Sequence, residues 1–271
     1  MNANPFAKRA LTSVCIFVFA VALSAQTQTP TKPYEPNVGQ AGKDVVWVPS
    51  PEQLVTKMLD MAKVTSQDLV MDLGSGDGRT VIMAAKRGAT AIGVEYNPEM
   101  VTLSRANAQK QGVTGKATFV QADLFQTDLT KPTVITMFLL PSINMKLRPT
   151  LLDLKPGTRI VSNTFDMEDW KADETAQVEG CTNWCTAHLW IVPAKVGGTW
   201  KLPQGELTIK QTFQMISGTL KNGTAVTPIN GKLNGSQISF TAAGTQYTGQ
   251  VNGNSMDGTA GGSKWSATRA K

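Results

Sequence analysis

The stretch from Val70 to Arg79 constrains this chain more than any other, because it runs from an apolar strand through three glycines into a helix. It reads Val70-Met71-Asp72-Leu73-Gly74-Ser75-Gly76-Asp77-Gly78-Arg79. Glycines at such a turn let the backbone approach a ligand with no Cβ in the way. In an open α/β sheet, ligands bind beyond the carboxyl ends of the strands, where this loop falls. A dinucleotide fingerprint needs GxGxxG, so that helix N-terminal amides face a pyrophosphate. Here the spacing is GxGxG, and Asp72 precedes it by two. A carboxylate repels a pyrophosphate but attracts a ligand that carries positive charge.

The pattern around the loop supports the same class. Strands are expected at Asp68–Leu73, Ala91–Glu95, Ala117–Gln121, Val134–Leu139 and Gly157–Ser162. Helices are expected at Arg79–Arg87, Pro98–Gln111 and Ile143–Leu152. This alternation predicts an α/β fold: a Rossmann-like, doubly wound, mostly parallel sheet of seven strands. Glu174–Val178 and Ala187–Val192 complete the seven as an antiparallel hairpin. Upstream, Ser50-Pro51-Glu52 has the form of a helix start, with Ser50 as N-cap and Pro51 at the first helical position.

On these residues the sequence resembles the class I S-adenosylmethionine (SAM)-dependent methyltransferases, whose first motif reads (D/E)xGxGxG. Asp72, Gly74, Gly76 and Gly78 match it. The resemblance implies that Asp72 and the Gly74-Ser75-Gly76 backbone hold the methionine part of SAM. Glu95, in Ile92-Gly93-Val94-Glu95-Tyr96-Asn97, stands where the family binds the ribose hydroxyls. A carboxylate can accept two such hydrogen bonds. Asp123, in Gln121-Ala122-Asp123-Leu124, stands near the adenine amino group. Tyr96 and Leu124 fall in the same expected cofactor site.

A closer resemblance, over about Val46 to Val192, is to a bacterial group related to the mitochondrial ATP-synthase c-subunit lysine methyltransferases. Val48-Pro49-Ser50-Pro51, Phe138-Leu139-Leu140-Pro141, Leu147-Arg148-Pro149 and Lys155-Pro156-Gly157-Thr158-Arg159 carry it. It implies that Val48–Pro51 lies over the cofactor and that Phe138 faces the reaction centre. The methyl acceptor is then a protein, through a lysine, or a small molecule. The fourth strand lacks the (D/N)PP(Y/F) of many nucleobase methyltransferases, and the basic residues are scattered, so no nucleic-acid partner is expected. No catalytic residue is assigned. Asn163 and Asp166, just after the fifth strand, are candidates for acceptor contact, but turn and cap roles suit them better.

From Val196 to Lys271 the chain is dense in Gly, Thr, Ser and Asn. Short β-prone runs are expected at Gly198–Lys201, Glu206–Phe213, Ile216–Lys221, Ser236–Thr241, Thr245–Val251 and Lys264–Thr268. Asn222-Gly223, Asn230-Gly231, Asn234-Gly235 and Asn252-Gly253 are read as the turns between them. The result is a small antiparallel β-meander or barrel with Trp200, Phe213, Phe240 and Trp265 in its core.

At the N-terminus, Lys8 and Arg9 precede an apolar run, Ala10–Leu23, and small residues follow. That is the form of a signal peptide over residues 1–25, too short for a comfortable membrane span. The reading divides the chain into signal (1–25), linker (26–45), methyltransferase domain (46–194) and all-β domain (196–271). It places the mature chain outside the cytoplasm, in the periplasm, with no stable membrane span; an unused signal would leave it in the cytoplasm. The mature chain keeps Cys181 and Cys185, as a disulfide or as two thiols. With His188 the sole histidine, no metal site is expected. The competing reading is an exported binding protein that retains the fold without turnover.

Overall fold

The computed structural model describes residues 34–270; the expected signal peptide and the first part of the expected linker lie outside them. The α/β part contains α1 (Glu52–Met61), β1 (Leu69–Leu73), α2 (Arg79–Lys86), β2 (Thr90–Glu95), α3 (Pro98–Lys110) and β3 (Ala117–Gln121). It continues with β4 (Val134–Met137), α4 (Pro141–Leu152), β5 (Arg159–Asn163), β6 (Glu174–Gln177) and β7 (Thr186–Ile191). The seven strands form one sheet in the order β3-β2-β1-β4-β5-β7-β6. The first five are parallel; β7 runs antiparallel to β5, and β6 to β7.

Strands buried on both faces read as near-continuous apolar runs, and β1 and β4 do. One face is covered by α1, α2 and α3 through Leu54, Leu59, Val81 and Val101. The other is covered by α4 and the 164–172 segment, through Leu147, Leu151 and Trp170. The start of α1 differs from expectation: Pro51 is the N-cap, with no side-chain cap. The Ser50 hydroxyl instead accepts from Asn163 Nδ2 at 2.9 Å. That bond ties the entry to α1 to the end of β5.

The tail closes into an eight-stranded antiparallel barrel, β8 (Gly198–Leu202), β9 (Gly205–Thr212), β10 (Met215–Asn222), β11 (Ala225–Asn234), β12 (Gln237–Ala242), β13 (Thr245–Asn252), β14 (Ser255–Ala260) and β15 (Ser263–Arg269). Closure abolishes the exposed strand edges that an open meander would leave. Three of the four Asn-Gly turns are found, with Gly223, Gly235 and Gly253 at φ near +60°. The fourth is a correction: Asn230-Gly231 lies inside β11. There Gly231 pairs with Ile216 and Phe240, and a Cβ would sit 2.1 Å from the Ser239 carbonyl oxygen. The glycine serves close strand approach, not a turn. The sequence reading also lacks β11 and β14, whose polar, Pro- and Gly-containing runs give weak strand signals.

Trp200, Phe240 and Trp265 pack in the barrel core. Phe213 does not, which corrects its expected placement. It sits at the β9–β10 turn with φ 54° and stacks on Trp170 of the α/β part, centroids 6.0 Å apart. Gln214 Nε2 beside it donates to the Lys171 carbonyl at 2.8 Å, and Ala194 N–H donates to the Gly235 carbonyl at 2.8 Å. Apolar and polar contacts thus hold the barrel against the sheet side opposite to α1.

Candidate active site

The site is a cavity at the carboxyl ends of the parallel strands, built from each strand end and the loop behind it. Asp72 comes from β1 and is buried. Its Oδ1 accepts from Thr136 Oγ1 of β4 at 2.6 Å. Burial pushes its carboxyl up to about 7, helped by the charges of Glu95 and Asp77; hydrogen bonds from Thr136 and Thr80 act the other way. A cationic ligand beside Asp72 would favour the ionised form.

The loop after β1 takes Gly74, Gly76 and Gly78 to φ 75°, 53° and 84°. Two of these glycines are also sterically required. A Cβ on Gly76 would meet Trp47 Nε1 at 2.7 Å, and one on Gly78 would meet the Phe119 ring at 2.7 Å. Glu95, at the end of β2, holds the loop in place. Its Oε2 accepts from Gly76 N–H at 2.9 Å and its Oε1 from Asn97 N–H at 2.9 Å. Ser75 Oγ is buried without a protein partner.

Asp123 follows β3 and caps the 3-10 turn Leu124–Gln126. Its Oδ1 accepts from Phe125 N–H at 2.9 Å, while Lys43 Nζ donates to Oδ2 at 2.6 Å. The Lys43 hydrogen bond, then that of Phe125, holds the Asp123 carboxyl below the usual carboxylate range. Lys43 also stands 4.8 Å from the Tyr96 ring centroid. All nine residues expected at the cofactor site line this cavity: Asp72, Gly74, Ser75, Gly76, Glu95, Tyr96, Asp123, Leu124 and Phe138.

Several lining residues were not expected. Gln40–Val45, read as the end of a linker, forms part of the wall, folded back by the Ala41–Val46 bridge. Trp47, also unexpected, lies against the glycine loop; of the segment expected over the cofactor, Val48–Ser50 line the cavity and Pro51 does not. On the far side of Phe138 stand Phe165 and Trp184. The three rings pack together with centroids 6.0, 5.5 and 5.7 Å apart. Trp184 lies between Cys181 and Cys185, which are joined by a disulfide, so of the two open readings the structure has the bridge. A lone aromatic flanked by two cysteines was the available signal.

Asn163 and Asp166 do not line the cavity. Asn163 is fully buried, bonded to Ser50 and to Thr164 Oγ1. Asp166 Oδ1 accepts from Glu168 N–H. Both serve the turn after β5. His188 is structural too: Nε2 donates to the Thr164 carbonyl at 3.1 Å, leaving Nδ1 to accept from Thr175 Oγ1 at 3.0 Å.

The donor set decides which ligand class fits. Three carboxylates converge on one half of the cavity. Its nearest basic groups are already engaged, Lys43 with Asp123 and Arg79 with Asp77 and the Ser50 carbonyl. That suits a cation bearing hydroxyls and disfavours a pyrophosphate.

Comparisons with known proteins agree with this chemistry. The model of the ANTKMT methyltransferase domain matches residues 72–174. A protein-lysine N-methyltransferase from Saccharolobus islandicus is 44% identical over 151 residues, covering 55% of this chain and 94% of that protein. The human ATP-synthase c-subunit lysine N-methyltransferase is 34% identical over 128 residues, 47% of this chain and 54% of its own. This chain thus spans about half the length of that relative. A solved structure from Salinibacter ruber, described as an RNA methyltransferase in complex with S-adenosyl-L-homocysteine (SAH), is 44% identical. It covers 55% of this chain and 96% of its own, with a TM-score of 0.52.

Proposed function

The chain belongs to the ANTKMT methyltransferase family, and from that premise we propose that this SAM-dependent enzyme methylates the side-chain amine of a protein lysine. Bound SAM would supply an electrophilic methyl on its sulfonium; the unprotonated lysine nitrogen takes that methyl, neutral SAH leaves as the thioether, and the amine's proton passes to solvent. The protein therefore has mainly to align, desolvate and stabilise. Asp72 and the Gly74–Gly76 backbone would hold the amino-acid end of SAM, Glu95 the ribose, and Tyr96, Asp123 and Leu124 the adenine end. Trp47 and the Gln40–Ser50 strap keep water from that half. The observation carrying the proposal is the polarity of the cavity: acids on β1 and β2 and just after β3, and an apolar, aromatic wall beyond β4.

The family's lysine-directed relatives support the acceptor class. So does the Phe138-Leu139-Leu140-Pro141 run at the end of β4, which offers no side chain to bind a nucleobase amino group. The bridge supports placing the mature chain in an oxidising compartment, as the N-terminal sequence expects.

The test is label transfer from methyl-tritiated SAM to a lysine-rich protein, followed by acid hydrolysis and amino-acid analysis. Label recovered as methyl-lysine supports the proposal. Label on RNA alone, or on no macromolecule, contradicts it.

A further inference from the structure

We infer that Phe138, Phe165 and Trp184 form the wall that receives the acceptor amine, and that the Cys181–Cys185 bridge fixes this wall by holding Trp184 in place. The inference rests on the lysine reading above and names its acceptor site.

The topology separates two halves of the cavity. Along the order β3-β2-β1-β4-β5-β7, Asp123, Glu95 and Asp72 stand at the ends of the first three strands. Phe138 follows β4, Phe165 follows β5, and Trp184 precedes β7, which enters at the same edge because it runs antiparallel. The cofactor's charged parts are matched by the acids, so the aromatic half is left for the acceptor. Aromatic faces carry negative potential and attract an ammonium head, while their bodies pack on an aliphatic stem. Lysine offers both. A nucleobase would stack on such rings too, but the Met137–Leu140 and Ile143 side chains around them are apolar and cannot read a base edge.

Trp184 is 40% exposed and stands at the mouth. It adopts φ 58°, a strained conformation for a bulky residue. Thr164, immediately before Phe165, is at φ 61°. Strain of this kind persists only where the surroundings enforce it, and it gathers at binding sites. For Trp184 the enforcing element is in view. The bridge spans a sequence separation of 4 around it, and Val178 N–H closes the base of the loop on the Cys185 carbonyl at 2.9 Å.

The test has two readouts on the full chain. In the first, SAH-saturated protein is titrated calorimetrically with Nα-acetyl-Nε-trimethyl-lysine methylamide, a quaternary ammonium that needs no turnover. Wild type binds it. Trp184→Ala weakens binding about tenfold, Trp184→Phe restores most of it, and Cys181→Ser with Cys185→Ser, or reduction of wild type, weakens it severalfold. SAH affinity stays within about twofold in every case, as expected if the cofactor half is separate. In the second, label transfer to deca-lysine shows a raised KM in Trp184→Ala. Absence of probe binding by wild type overturns the inference. So does an unchanged KM in Trp184→Ala while wild type transfers label, or loss of SAH affinity in that variant. Trp184-dependent transfer to an oligoribonucleotide in place of deca-lysine overturns it as well. Failure of wild type to methylate any lysine rejects the lysine reading itself, and is thereby distinguished.

Discussion

Asp72→Asn should make the free protein more stable and the enzyme worse. The Asp72 carboxyl is buried and titrates at about 7, against an ordinary value of 3.8. Between these values the folded state holds a proton that the unfolded state has lost. Stability therefore falls as pH rises from about 4 to about 7 and stays low above. The gap corresponds to roughly 4 kcal/mol at pH 8. Asparagine removes the charge and keeps an oxygen to accept from Thr136 Oγ1. The variant should match wild type in Tm near pH 4 and exceed it by roughly 5–10 °C at pH 8. SAM affinity moves the other way. If the cation needs ionised Asp72, wild-type affinity should drop about tenfold from pH 8 to pH 6, and Asp72→Asn should bind weakly at both. Thermal melts from pH 4 to 8, paired with calorimetry at pH 6 and 8, read both effects. An Asp72→Asn protein less stable than wild type at pH 8, or wild-type affinity independent of pH, refutes the reasoning.

Four further variants have expected outcomes. Gly78→Ala forces a Cβ into Phe119 and Ser104 at 2.7–2.8 Å with φ at 84°, and should lower Tm; Gly76→Ala meets Trp47 instead and should weaken SAH binding in calorimetry with a smaller loss of stability. Lys43→Ala frees the Asp123 carboxylate, so SAH should dissociate faster in stopped-flow fluorescence while Tm stays nearly unchanged, since exposed ion pairs contribute little. Phe213→Ala removes the ring stacked on Trp170 and under Arg148 and should cost roughly 2–3 kcal/mol in urea unfolding, below the range for fully buried phenylalanine because Phe213 is half-buried.

Much of this site can be read from sequence because its chemistry is local. Asp72, the glycines and Glu95 each end a strand or start a helix, and periodicity fixes those ends. The strap and the aromatic wall were harder. Lys43 reaches Asp123 across 80 residues, and Gln40–Val45 has no apolar period to mark its return to the cavity. Phe165 and Trp184 meet Phe138 only because β5 and β7 pair antiparallel. In the barrel, strand signals survive where alternation is strong, as in Gln237–Ala242, and fail in β11. There Pro228 and Asn230-Gly231 imitate a turn while the backbone stays extended. Phe213 misleads for a related reason: hydrophobicity says that it is covered, not which layer covers it.

The central claim is that the acid row holds SAM. Calorimetric titration of the protein with SAM, alongside Glu95→Gln, tests it most directly. Glutamine keeps one of the two acceptor oxygens that serve Gly76 and Asn97 and loses the charge. The account predicts saturable one-to-one binding by wild type and at least tenfold weaker binding by a folded Glu95→Gln protein. Equal affinities in the two proteins, or no binding by a folded wild type, would contradict it.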